Sequence, residues 1–200
     1  MYKSIKPCLA LLISFLIFSS SIAQESKFNW PNDKKIAISL TWDDGRASQI
    51  EYGLPILNKY GIKATFYVVP SAVAKSLDGW KKAISDGHEI GNHSMKHPCS
   101  GNFIWARDKA LEEKGIGDIT KELLLANDTL REMLNVKATE FAYPCGQTFV
   151  GRGENTKSYV PVIAREFTSG RTWMDEAPND PSYCDLSQLT GMEMDGKDFQ

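Results

Sequence analysis

The sequence predicts an α/β domain with a parallel sheet, barrel-like or doubly wound. Three observations carry that prediction. Short apolar runs alternate with helical patterns along the chain. The breaks between them hold Pro or Gly. The residues richest in chemistry follow directly on the apolar runs, at the carboxyl ends of strands, where the sites of such folds lie.

Taken in order, Ile36-Ala37-Ile38-Ser39-Leu40 reads as a strand that delivers Thr41-Trp42-Asp43-Asp44-Gly45 at its tip. Pro55 serves as an early helical residue, Leu54, Leu57 and Asn58 continue the turn, and Gly61 takes the left-handed position that ends it. Residues 64–69 read as a buried strand stopped by Pro70. Asp78 caps a helix through Trp80, Ala83 and Ile84, closed by Gly87, and residues 88–92 make a short third strand. Residues 98–117 form a less regular insertion with Gly101, Gly115 and Gly117. Ile119, Leu123, Ala126, Leu130 and Met133 then recur at spacings of four and three, which places them on the core face of one helix capped by Asp118. Residues 139–143 are the fourth strand, and residues 159–169 a short helix leading into a fifth.

Residues 1–23 stand apart from this pattern. Lys3 and Lys6 precede a short apolar run, and Ser21-Ile22-Ala23 supplies small residues before Gln24, the pattern of a secretory signal peptide cut near Ala23. The run is too short to span a bilayer comfortably, so no stable membrane insertion is expected after cleavage, and the product is expected to be secreted or periplasmic. Cleavage moves the formal net charge from −2 to about −4 and leaves one domain, residues 24–200, of about 177 residues. No basic patch of the kind nucleic-acid binding requires is present. Cys99, Cys145 and Cys184 remain, so at least one is unpaired, and a bridge from Cys99 to Cys145 or to Cys184 is equally open. No CxxC spacing occurs, so a metal would be held by nitrogen and oxygen.

Asp43 and Asp44 are adjacent carboxylates, whose mutual repulsion raises the proton affinity of one unless a cation or strong donors lie close by. His93 and His97 follow the third strand directly, and a helical turn there would stack both imidazoles on one face. Two His and one carboxylate are a familiar set for zinc or another divalent ion accepting nitrogen and oxygen. His88 lies inside the strand and reads as packed or hydrogen-bonded. Asn92-His93-Ser94 and Asn127-Asp128-Thr129 fit glycosylation acceptor patterns, the first overlapping the His pair.

On these motifs the chain resembles the polysaccharide deacetylases with a NodB homology domain, carbohydrate esterase family four. Their TFDDG-type motif matches Thr41-Trp42-Asp43-Asp44-Gly45, their HSxxH motif matches residues 93–97, and the run Gly87-His88-Glu89-Ile90-Gly91-Asn92 matches as well, so the resemblance covers residues 34–170. It implies an irregular (β/α) barrel that removes acetyl groups from N- or O-acetylated glycans such as chitooligosaccharide, peptidoglycan or xylan. It further implies that Asp44, His93 and His97 bind a divalent metal, zinc first with cobalt or nickel as alternatives, and that Asp43 is the general base. The ion would polarise the acetyl carbonyl and acidify a bound water while the spare carboxylate takes the water's proton. The family's third motif, approximately RxPYG, falls on Phe141-Ala142-Tyr143-Pro144-Cys145-Gly146, which makes the Cys145 backbone N–H the oxyanion donor.

The chain departs from the family at two functions. Ala142 stands where an arginine would orient the base, with Arg107, Arg152 and Arg171 as candidates to replace it. No histidine follows His97 to act as the general acid, and Trp173, Asp175 and Asp180 occupy the region of the fourth motif without matching it. With fewer strands than a closed barrel needs, the barrel is expected to be incomplete at its C-terminus and the chain to be a shortened form of a longer protein. Two other readings fit the same residues: a non-catalytic carbohydrate-binding relative that keeps the metal triad, and a metal-dependent amidohydrolase acting on a small amide.

Overall fold

The computed structural model describes residues 28–173 and 177–197. The segment read as a signal peptide lies outside the described residues, as does Asp175. In chain order the strands are β1 (Thr41–Trp42), β2 (Thr65–Val68), β3 (Glu89–Asn92), β4 (Glu140–Ala142), β5 (Phe149–Val150), β6 (Lys157–Ser158) and β7 (Ser169–Arg171). The α-helices are α1 (Leu54–Lys59), α2 (Pro70–Lys75), α3 (Leu77–Ser85), α4 (Ile116–Leu134) and α5 (Val160–Glu166). Five parallel strands form one curled half-barrel sheet in the order β1-β2-β3-β4-β7, and β5 and β6 pair antiparallel beside it. This is the α/β class expected, with the sheet closed into less than a full barrel among the described residues.

Local chemistry explains most boundaries. After α1 the Gly61 N–H bonds the Asn58 carbonyl and the Ile62 N–H reaches back to Leu57; after α3 the Gly87 N–H bonds Ile84 and the His88 N–H bonds Ala83. Each pair is the crossed closure in which a left-handed glycine, here at φ 66° and 86°, satisfies the last carbonyls. Pro70 ends β2 as expected, but it also opens α2, because proline's missing N–H costs nothing at the first helical position. Asp118 sits in the third position of α4 rather than before it. Its carboxylate accepts the Gly115 N–H at 2.9 Å, so the helix starts three residues earlier than the apolar period indicates.

Two further expectations need correction. Residues 36–40 are not a buried strand. Ile36 and Ile38 are 69% and 79% exposed, and ladder pairing starts only where the Leu40 carbonyl accepts the Thr65 N–H. An edge position leaves this apolar run without a second neighbour to bury it. The hairpin of β5 and β6 was not anticipated, since strands of two residues are too short for any period to register.

The core forms two clusters. One holds Leu54, Phe66, Val68, Val73, Trp80 and Leu130; the other holds Leu111, Ile119, Leu123, Phe141, Tyr159 and Ile163. The periodic face of α4 contributes Ile119 and Leu123 to one and Leu130 and Leu134 to the other, so a single helix ties them together. Each of these fully buried side chains contributes roughly 1.5–3 kcal/mol relative to exposure.

Both glycosylation patterns are internal. Asn92 donates to the Leu123 carbonyl and to Asn127 Oδ1, and Asn127 donates to the Ala138 carbonyl. His88 is packed, as expected. Its Nδ1 accepts the Ala64 N–H at 3.2 Å, so Nε2 carries the proton and faces Asn58 Oδ1 at 3.1 Å. Burial, and then the Lys63 charge, pushes this imidazole's pKa below 6.5. A depressed histidine pKa means that the unfolded chain binds the proton more readily, so the stability His88 contributes is present above pH 6.5 and is lost as the pH falls below it. Thermal melts from pH 7 to 5 are expected to show a shallower acid-side decline for His88→Gln than for the parent.

Candidate metal and catalytic site

Strand β1 ends at Trp42, and the chain reverses at once through Asp44 and Gly45, at φ 75° and 72°. A Cβ on Gly45 would stand 3.3 Å from Val68 and Ala72 side-chain atoms, so the turn sits directly on the end of β2 and the start of α2. Gln49 Nε2 donates to the Asp43 carbonyl and fixes the reversal. The reversal sends the two adjacent carboxylates to different partners.

The two histidines meet through a bend and not through the helical turn anticipated. Ser94 and His97 both take positive φ, 64° and 52°. The Ser94 N–H donates to Asn92 Oδ1 at 2.6 Å, the His97 N–H to Ser94 Oγ at 2.9 Å, and the Lys96 N–H to Glu122 Oε1 at 3.1 Å. Polar side chains thus replace the helical ladder, and the imidazole centroids still lie 4.7 Å apart. His93 Nδ1 sits 2.8 Å from the Ala142 carbonyl, which can only accept, so Nδ1 carries a proton and Nε2 is the nitrogen left to face Asp44.

Asp44 Oδ1 lies 3.5 Å from His93 Nε2 and 3.4 Å from His97 Nε2. Tetrahedral bonds of about 2.0–2.1 Å set neighbouring ligand atoms about 3.3–3.4 Å apart, so these residues fit a divalent ion. Hydrogen bonding from His93 and His97, and to a smaller degree the Arg46 guanidinium, holds the Asp44 carboxyl far below the usual carboxylate range. Ionised Asp44 and a protonated Nδ1 on His93 are the states a metal needs. His97, Cys99 and Cys145 also converge, but their sulfurs are joined in a disulfide and unavailable as thiolates.

Asp43 turns the other way, and its Oδ1 pairs with Arg171 Nη2. Arg171 ends β7 in register with Ala142 on β4, one strand over from the position at which the resemblance expects an arginine. Its Nη1 donates to the Thr172 carbonyl at 2.8 Å, and its guanidinium carbon stands 5.1 Å from the Tyr67 ring centroid. Tyr67 lies flat over Gly91, where any Cβ would come within 2.4 Å of the ring. Burial drives the Tyr67 phenol up to about 12, keeping it neutral beneath the cation. The other candidate arginines are engaged elsewhere, Arg107 with the Gly101 carbonyl and Arg152 with Glu113.

Cys145 follows β4 in a turn with φ 56°, succeeded by Gly146 at φ 67° packed against Trp173. Its disulfide to Cys99 decides between the two pairings left open and leaves Cys184 free. Cys99 Sγ lies 3.6 Å from His97 Nδ1, so the bridge ties the histidine bend to the loop after β4. The Asp180 carboxylate accepts the Ser182 N–H at 2.8 Å.

The sequence profile of polysaccharide deacetylases matches residues 31–159, well over half of the chain. The chain belongs to the polysaccharide deacetylase family. It is similar to the uncharacterized protein YlxY of Bacillus subtilis, 30% identical over 148 residues that cover 72% of this chain and 40% of that one. A peptidoglycan-N-acetylglucosamine deacetylase of Bacillus cereus is 36% identical over 83 residues, 41% of this chain and 37% of that one. The chain therefore spans well under half the length of these curated relatives. Among solved structures, the Streptococcus pyogenes deacetylase PplD, determined with acetate, superposes with a TM-score of 0.61 at 23% identity, covering 79% of this chain and 64% of that one, which shows a common fold.

Within this deacetylase-family fold, sequence reasoning passed over Gln49 and could not choose among three arginines. The readable signal for Arg171 is its position at the end of the short run after α5, where a strand beside β4 must terminate. The Cys99–Cys145 bridge closes a separation of 46 residues, which constrains the unfolded chain by about 2–4 kcal/mol. Cys99→Ser with Cys145→Ser is expected to lower the denaturation free energy by that amount in urea titrations, while Cys184→Ser leaves it within about 0.5 kcal/mol.

Proposed function

We propose that the protein is an exported, metal-dependent hydrolase that removes acetyl groups from N- or O-acetylated glycans. The observation that carries this reading is the division of the two aspartates: Asp44 with His93 and His97 on one side, and Asp43 with Arg171 on the other. Asp44, His93 and His97 would hold the ion, zinc first with cobalt or nickel as alternatives, and when bound it supplies Lewis acidity toward the acetyl carbonyl and toward water. Asp43, kept off the metal by Arg171, accepts a proton from the attacking water. The Cys145 N–H donates to the developing oxyanion, and the bridge to Cys99 keeps that loop at the edge of the histidine pair. His88, with both ring nitrogens engaged, takes no part. The signal-like segment 1–23 and the Cys99–Cys145 disulfide both favour an oxidising compartment outside the cytoplasm. The relatives named for peptidoglycan-N-acetylglucosamine and chitooligosaccharide favour an amide-linked acetyl group on a glucosamine-type sugar.

Acetate release from acetylated chitooligosaccharide, peptidoglycan and xylan, measured with and without chelator, is the direct test. Chelation is expected to abolish release and added zinc or cobalt to restore it. Sugar binding without acetate release at saturating metal would replace the enzyme by a carbohydrate-binding protein. Asp43→Asn is expected to cut turnover by about 10²–10⁴ with metal content intact, whereas Asp44→Asn and His93→Ala lose the metal. Equal metal loss in all three would overturn the assigned roles. Arg171→Ala, acting through Asp43, is expected to lower kcat about 10–100-fold with metal content unchanged, and Arg171→Lys to recover part of that loss.

A further inference from the structure

The insertion between the histidine bend and α4 carries an unused surface. Residues 99–112 close on themselves. The Cys99 carbonyl accepts the Leu111 N–H at 3.1 Å, Ser100 Oγ and the Gly101 N–H donate to the Glu112 carboxylate, and the Ser100 N–H donates to Gln147 Oε1 at 2.7 Å. Arg107 Nε closes back on the Gly101 carbonyl, and Ala106 is fully buried beneath. This clamped base presents Phe103, Ile104 and Trp105 outward, 41%, 78% and 54% exposed, and none of the three belongs to either core cluster. Three consecutive exposed apolar side chains are a solubility liability with no folding benefit, the pattern expected of a binding surface.

Their placement points to the ligand. The Trp105 ring centroid lies 6.0 Å from that of His97, and the Phe103 ring lies 5.5 Å beyond it at an interplanar angle of 27°. The aromatic series therefore starts at a residue of the proposed metal site and runs outward from it. Lys109 Nζ lies over the Trp105 ring, 5.5 Å from its centroid, and donates to the Lys96 carbonyl, which places a cationic donor directly against the aromatic surface. A pyranose ring offers apolar C–H faces and hydroxyl edges, the pattern that an aromatic side chain with adjacent donors complements. Three side chains are far short of the roughly 800 Å² per partner of a stable protein interface, which disfavours protein docking.

We infer that Trp105, supported by Phe103, stacks on the sugar unit next to the acetylated one and so makes the chain selective for oligomeric over monomeric substrates. The inference rests on the deacetylase reading for the word substrate, but the binding itself is separable from it. The full chain is titrated with chitotetraose and xylotetraose, which lack acetyl groups, by calorimetry. In parallel, kcat/KM is compared on acetylated chitotetraose and on 4-nitrophenyl acetate. Trp105→Ala is expected to weaken tetrasaccharide binding by about tenfold or more, as removal of a stacked aromatic anchor does. It should also lower the ratio of tetramer to small-ester kcat/KM by a similar factor through KM, with metal content unchanged. Trp105→Phe should restore most of both. Unaltered binding in Trp105→Ala, no tetrasaccharide binding by the parent, or a fall accompanied by metal loss would each overturn the subsite. Absence of acetate release in the parent would sink the enzymatic reading while the binding titration still decides the role of Trp105.

Discussion

Two carboxylates next to each other in sequence repel, and much of this site is arranged to give each of them its own counter-charge. Left-handed backbone at Asp44 and Gly45 turns one side chain toward two imidazoles and an arginine, the other toward Arg171. Each carboxylate thereby obtains its own counter-charge, and the repulsion between them becomes a difference in role. The parallel sheet makes this affordable in space: β1, β3, β4 and β7 all end on the same side, so side chains far apart in sequence converge without any long loop reaching across.

The supporting contacts are mostly backbone-directed. The Ala142 carbonyl sets the tautomer of His93, Asn92 and Ser94 shape the bend that carries His97, and Glu122 on α4 holds the Lys96 N–H. Several of these residues serve packing at the same time, Asn92 being bonded to α4 as well. The site and the core are therefore not separate layers, and a substitution that loosens α4 would move the histidines.

Legibility in the sequence followed the length scale of each signal. The alternation of strands and helices, the amphipathic face of α4 and the two chemical motifs all span enough residues for a period or a spacing to register, and they placed Asp43, Asp44, His93 and His97 on loops at strand ends. Shorter features did not register. β5 and β6 have two residues each, and Asp118 caps α4 from inside it because a capping box shifts the start by three. Ile36 and Ile38 look like core in composition but lie at a sheet edge, which only the strand order determines. The choice of Arg171 over Arg107 and Arg152 depends on which strand lies beside β4, and the choice of Cys145 over Cys184 depends on how two loops meet. Neither is a property of the local sequence.

Asp43 and Arg171 are 128 positions apart, whereas Asp44, His93 and His97 lie within 54 residues of one another. The pairing of Asp43 with Arg171 therefore closes a much longer stretch of chain than the gathering of Asp44 with His93 and His97. β7, which carries that cation, is also bordered by the single parallel bridge from Arg171 to Leu189. The Asp43 contact is therefore the one that depends on the sheet being complete through β7, whereas Asp44 meets the histidines through β1 and β3 alone.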